Sequence, residues 1–338
     1  MYPDFLGIGA QKAGTTWLSH NLQLHPEIWM PSLKEIHYFD EKLYDPPNLL
    51  PRLYEKLFGE RVVDRRWRRQ VKNRLPRHLR RLAKEALLWD VRYYAGAPGD
   101  GWYASLFEPG KGKVVGEITP SYSTLDKDGI AHVHEIMPQA KIIFMMRNPV
   151  ERAWSQAVMR FEKAEKGEID AATERQLRRT FEGEGLRSRT NYGRILENWG
   201  SFYPEEQIFV GFLEDIHFFP KELLGSVFEF LGIDASFTPP GLDQKIHSRS
   251  AGRMPTSVAA YLARTYWQET SRLSERFGGY TSFWLYCAER LIENPPEEEF
   301  IPYPLWSSEM WTEWTGESGA RAQRPRLQSA PLPSAHAK

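Results

Sequence analysis

A single cysteine, Cys287, stands in a chain of 338 residues. One thiol cannot close an intramolecular disulfide, and it excludes a metal centre built on several thiolates, so the composition points to a reducing compartment. Long apolar runs are also missing: nothing approaches the roughly 20 residues of a membrane-spanning helix. The opening residues, MYPDFLGIGAQ, lack the basic start, apolar stretch and small-residue cleavage site of a secretory signal. The expectation is a cytoplasmic protein whose membrane contacts, if it makes them, are peripheral.

Net charge is absent as well, with 44 Lys and Arg against 44 Asp and Glu. That balance conceals a segregation. Residues 61–92 carry twelve basic residues against the three acids Asp64, Glu85 and Asp90, which leaves the rest of the chain acidic by nine. A local basic surface follows.

What is present suits an ordinary globular domain: 41% hydrophobic and 26% charged residues. The apolar runs at 5–9, 113–118, 141–146 and 207–212 are short and separated by helical patterns, the signature of buried parallel strands in an α/β fold with flanking helices. Helices are expected over 16–24, 130–137, 150–161, 191–203, 219–231 and 256–277. Residues 41–105 interrupt the alternation as a mostly helical insertion, in which Pro76 should break or restart a helix. Residues 1–315 read as one domain and 316–338 as a disordered, proline-rich tail.

The first strand runs into GAQKAGTTW, where Gly9 and Gly14 have the spacing of a phosphate-cradling loop. A kinase or nucleotidase loop keeps a lysine directly after the second glycine. Here that place is Thr15, and the lysine is Lys12. A strand, a tight loop and a helix beginning near Thr15 would still offer backbone N–H groups and a positive dipole end to an anion. A second anion site is expected where Arg147 follows the strand 141–146, with Ser155 about two turns into the next helix.

These stretches resemble sulfotransferases that use 3′-phosphoadenosine 5′-phosphosulfate (PAPS), with the greatest likeness to the heparan-sulfate and bacterial carbohydrate branch. QKAGTTWL is similar to the family's 5′-phosphosulfate loop, which marks Lys12, Ala13, Gly14, Thr15, Thr16 and Trp17 as PAPS-binding. RNPVERAWSQ resembles the 3′-phosphate site, with Arg147 and Ser155, and SRSAGRMP the loop closing over it, with Gly252 and Arg253. The likeness extends through KEIHYFD, GEITPSY and NYGRILENWGSFYP. It implies a P-loop-like sulfotransferase fold, PAPS as co-substrate, 3′-phosphoadenosine 5′-phosphate (PAP) as product, and no metal. Lys12 would stabilise the leaving oxygen, which explains its displacement: a sulfuryl group carries less charge than a γ-phosphoryl group and needs no magnesium clamp.

By the same resemblance Glu35 is the general base that deprotonates an acceptor hydroxyl or amine, assisted by His37. Two apart on an extended segment, the pair would share one face. The acceptor class, carbohydrate, lipid or small-molecule alcohol, stays open. A P-loop kinase is the rival enzyme. A non-catalytic anion or nucleic-acid binder using residues 61–92 is the rival of another class, although nucleic acid is not the expected partner. Within that run Trp67, Val71, Leu75, Leu79, Leu82 and Ala86 recur at helical spacing, a pattern that suits an acidic acceptor, a membrane surface or plain packing against the domain.

Overall fold

The apolar runs pair side by side. In the computed structural model, which describes residues 1–41, 49–80, 83–163, 174–242 and 253–317, they form β1 (Phe5–Gly9), β3 (Val114–Ile118), β4 (Lys141–Met146) and β5 (Ile208–Phe212). A short β2 (Ile28–Trp29) completes a parallel sheet in the order β2-β3-β1-β4-β5. Residues 142–146 of β4 are buried throughout, as they must be in a parallel sheet covered on both faces. The chain builds β2 and β3 on one side of β1 and β4 and β5 on the other. The carboxyl ends of β1 and β4 therefore flank a topological switch point, where open α/β sheets bind ligands.

Helix α1 (Thr15–Leu24) follows β1, and the insertion supplies α2 (Leu49–Phe58), α3 (Val62–Arg80), α4 (Lys84–Ala95) and α5 (Asp100–Ser105). The connections after β3 and β4 hold α6 (Lys127–Ile136), α7 (Pro149–Lys163), α8 (Glu174–Glu182), α9 (Glu184–Arg187) and α10 (Tyr192–Gly200). Then come α11 (Leu213–Phe218), α12 (Pro220–Leu231), α13 (Thr256–Phe277), α14 (Tyr280–Glu293) and α15 (Glu309–Glu317). A two-stranded antiparallel ribbon pairs β6 (Arg253–Pro255) with β7 (Phe300–Pro302). Beyond residue 317 the expected tail lies outside the described residues.

Two expectations need correction. Helix α3 runs unbroken through Pro76, which is exposed, so water can reach the carbonyl its missing N–H leaves unpaired. Helix α14 went unanticipated although Tyr280, Phe283, Trp284, Cys287, Ala288 and Leu291 are its buried face at plain helical spacing.

Candidate functional site

The loop after β1 is shaped by two left-handed residues, Lys12 (φ 74°) and Gly14 (φ 84°). Gly14 precedes α1, where a side chain would be strained by the left-handed backbone and would have to push aside Ile216 Cδ1, 2.3 Å from the Cβ position. The first helical bond is Leu18 N–H to the Gly14 carbonyl at 3.1 Å. The N–H groups before it have no intrahelical partner, as at any helix start, and are the ones the sequence expects to face an anion. Thr16 is exposed there, while Ala13, Thr15 and Trp17 are buried.

Arg147 leaves the end of β4 and reaches this loop: its Nη1 donates to the Lys12 carbonyl at 3.1 Å. The two expected anion sites are thus in direct contact. Arg147 is buried, and its Nε and Nη2 donate to Glu151 Oε2 at 3.1 and 3.0 Å. Burial alone would lower its pKa, but Tyr303 and Glu151 hold the guanidinium charged more firmly than usual. Nη2 also donates to the Tyr303 hydroxyl at 2.6 Å, and Ser155 lies close enough to the same phenol to favour its ionised form. Glu151 Oε1 accepts from Leu305 N–H at 2.6 Å, fastening the C-terminal segment over Arg147. Arg253 is exposed on β6, opposite Pro302 of that segment. Gly252 lies outside the described residues.

Glu35 and His37 come together, but not on an extended strand. Both take left-handed backbone conformations (φ 68° and 60°), and the intervening chain is pinned from outside. Ile36 N–H donates to Thr119 Oγ1 at 3.0 Å and to Glu117 Oε2 at 3.3 Å, and Tyr38 N–H donates to the Tyr122 hydroxyl at 3.0 Å. Glu117, buried on β3, also accepts from the hydroxyls of Tyr103 (2.6 Å), Thr119 (2.7 Å) and Tyr122 (3.0 Å). Anchors on and just after β3 therefore impose a backbone that the local sequence would not choose.

Electrostatics follow from that fold. His37 Nε2 stands 3.5 Å from Glu35 Oε2, and its Nδ1 lies 2.8 Å from Asp40 Oδ2. Burial would discharge the imidazole, but Asp40 and Glu35 raise its pKa to about 9. Burial likewise pushes the Glu35 carboxyl up, yet His37 and Lys34 more than reverse this and bring it to about 2. At neutral pH the site is a carboxylate beside two cations. Lys34 Nζ bridges the two halves of the site, 3.2 Å from Glu35 Oε1 and 3.0 Å from Thr16 Oγ1 at the start of α1. Lys34 and Asp40 lie inside the KEIHYFD stretch, where spacing to Glu35 and His37 is their only signal.

The insertion is fastened to this segment at both ends. Arg66 of α3 pairs with Glu41, and Arg74 donates to the Ser32 carbonyl at 3.1 Å and Ser32 Oγ at 2.8 Å. Between α3 and the segment lies a cleft lined by Ile36, Glu41, Arg66, Trp67, Tyr93 and Trp102.

Residues 3–239 match the sulfotransferase family. The membrane-associated sulfotransferase kil1 of Dictyostelium discoideum is 28% identical over 158 residues, which is 46% of this chain and 22% of that protein. Carbohydrate sulfotransferase 15 of Mus musculus is 26% identical over 166 residues, 45% of this chain and 26% of that one. The match thus spans about a quarter of the length of these curated relatives. Among solved structures, a sulfotransferase from Alicyclobacillus acidocaldarius superimposes with a TM-score of 0.53 at 21% identity, covering 81% of this chain and 95% of that one. That likeness is one of fold.

Proposed function

The chain belongs to the sulfotransferase family, and from that premise we propose that it moves a sulfuryl group from PAPS to a hydroxyl or amine of an acceptor. The observation that supports this reading is the hydrogen bond of Arg147 to the Lys12 carbonyl, which brings the two segments expected to bind anions together at the switch point of the sheet. The residues fit the donor: the α1 end takes the 5′ side, and Arg147 with Ser155 takes the 3′-phosphate.

PAPS supplies an activated sulfuryl group on a phosphosulfate anhydride. Glu35 accepts the proton of the acceptor as its oxygen or nitrogen bonds to sulfur, and the bond from sulfur to the bridging oxygen breaks in line. Lys12 meets the charge that develops on that oxygen as PAP departs. His37, held by Asp40, orients the Glu35 carboxylate. Lys34 restrains the base at rest; an anion at the start of α1 draws Lys34 to itself and frees Glu35 for proton transfer. The acceptor class stays open among a carbohydrate, a lipid and a small-molecule alcohol.

The test is to measure thermal stabilisation by PAP or PAPS without magnesium, then follow PAP release across a panel of acceptors. Stabilisation by Mg-ATP with none by PAP would overturn the assignment.

A further inference from the structure

Ten of the twelve basic residues of 61–92 divide into two sets; of the others, Arg92 donates to the Ser105 carbonyl at 2.7 Å and Arg81 lies outside the described residues. Four arginines are committed inside the fold. Arg61 pairs with Asp64 at 2.7 Å, Arg66 with Glu41, and Arg74 with Asp90 at 2.9 Å. Arg68 Nη1 donates to the carbonyls of Lys56 (2.8 Å), Leu57 (3.1 Å) and Gly59 (2.9 Å), closing the end of α2. The second set, Arg65, Arg69, Lys72, Arg77, Arg80 and Lys84, is exposed and makes no ion pair among the described residues.

Helix α2 ends against Arg68 and exposes four large apolar residues. Leu50, Tyr54, Leu57 and Phe58 fall at i, i+4, i+7 and i+8, one stripe of a helix, and are 78%, 65%, 50% and 68% exposed. The rings of Tyr54 and Phe58 lie 4.9 Å apart, so the stripe is continuous at its end. On α3, by contrast, Trp67, Val71 and Leu75 are partly buried, and Trp67 meets Tyr94 of α4 edge-on. The packing that accounts for α3 does not account for α2. Arg65 and Lys72 share the helical face of Arg68 at i−3 and i+4, which sets exposed cations beside the Leu57 and Phe58 end of the stripe.

We propose that α2 and the outward face of α3 dock the protein onto the surface of an anionic lipid bilayer, with Leu50, Tyr54, Leu57 and Phe58 entering the interface and Arg65, Arg69 and Lys72 meeting lipid phosphates. The pairing of an exposed apolar stripe with like-signed neighbours selects this occupant. A soluble polyanion would use the cations and leave the stripe in water. A second copy of the chain would cover the stripe but bring two basic faces together. No helix among the described residues is long and apolar enough to cross a membrane, so the contact is interfacial. The docked α3 is also the helix whose Arg66 and Arg74 bracket residues 32–41, which ties the lipid surface to the segment that bears Glu35.

Flotation of the full chain with vesicles tests the proposal, because it needs neither PAPS nor an acceptor. Vesicles of phosphatidylcholine with phosphatidylglycerol should carry the protein, phosphatidylcholine alone should not, and added salt should release it. The double variant Leu57→Glu, Phe58→Glu should lose flotation. Arg65→Gln, Arg69→Gln, Lys72→Gln, all exposed positions, should weaken it by about tenfold or more with an unchanged melting temperature. Absence of flotation, or flotation unaffected by the charge variant, overturns the proposal. So does a soluble dimer that dissociates in the Leu57, Phe58 variant, or binding confined to an acidic polysaccharide and indifferent to that variant.

Discussion

Arg147 and Tyr303, 156 residues apart in sequence, meet at 2.6 Å, and Ser155 shares the same phenol. The two side chains assigned to a 3′-phosphate thus converge on a neutral hydroxyl delivered by the C-terminal segment. A phosphate arriving there competes with that phenol for the guanidinium. Tyr303→Phe should therefore tighten PAP binding several-fold and leave adenosine 5′-phosphate unaffected, since only the 3′-phosphate meets Arg147. Calorimetric titration with both nucleotides decides it. Weaker PAP binding in the variant would make the phenol a phosphate ligand instead.

The Glu35–His37 pair sets a pH signature. Glu35 titrates near 2 and His37 near 9, so kcat/KM should be flat from about pH 5 to 8 and decline as His37 loses its proton. Stability follows the same signs. Glu35, lowered from 4.5, stabilises the fold above that value and loses the effect as pH falls through about 2. His37, raised from 6.5, stabilises below that value and loses the effect as pH rises through about 9. Replacing His37 by Asn removes a cation from Glu35, so an acid limb should climb toward the ordinary carboxylate range. A variant profile identical to wild type would separate His37 from the base.

Much of this was legible in the chain. Strands β1, β3, β4 and β5 announce themselves because strands buried on both faces are almost continuously apolar, and the glycine spacing marks the loop before α1. The pairing of Glu35 with His37 was foreseen for the wrong geometric reason: alternation along a strand does not operate where both residues are left-handed. What holds them is Glu117 and Thr119, more than 80 positions away, and no local pattern encodes such a tether. Tyr303 was hidden in the same way, within an aromatic stretch that reads as packing. Lys34 was in plain view, but its reach to Thr16 depends on how residues 25–33 return the chain to the start of α1.

Glu117 is a positioning residue, and its removal should act on both fold and turnover. Three hydroxyls and the Ile36 N–H converge on its buried carboxyl, so Glu117→Leu leaves several donors unpaired and should cost on the order of 3 kcal/mol, read by denaturant titration. Glu117→Gln keeps acceptor capacity and should recover part of that loss. Because residues 34–38 hang from this anchor, kcat in the Gln variant should fall while PAP affinity stays near wild type. Equal losses in both would mean that Glu117 supports the whole site rather than the segment carrying Glu35.

Lys34 couples donor binding to the base, and its replacement should separate two effects. At rest its ammonium lies 3.0 Å from Thr16 Oγ1 and 3.2 Å from Glu35 Oε1, so an anion at the start of α1 and the carboxylate compete for one cation. Lys34→Gln removes that cation from both. PAP affinity should drop several-fold, since one positive charge near the anion is lost. The acid limb of kcat/KM, which reports the free enzyme, should move to higher pH, because a carboxylate with one fewer neighbouring cation ionises less readily. Lys34→Arg, which restores the charge, should return the limb toward its original place. Comparing the acid limbs of kcat/KM for PAPS in the three proteins isolates the effect on Glu35 in the free enzyme, where Lys34 lies beside it: a limb that stays fixed while PAP affinity falls would confine Lys34 to anion binding and leave Glu35 independent of it.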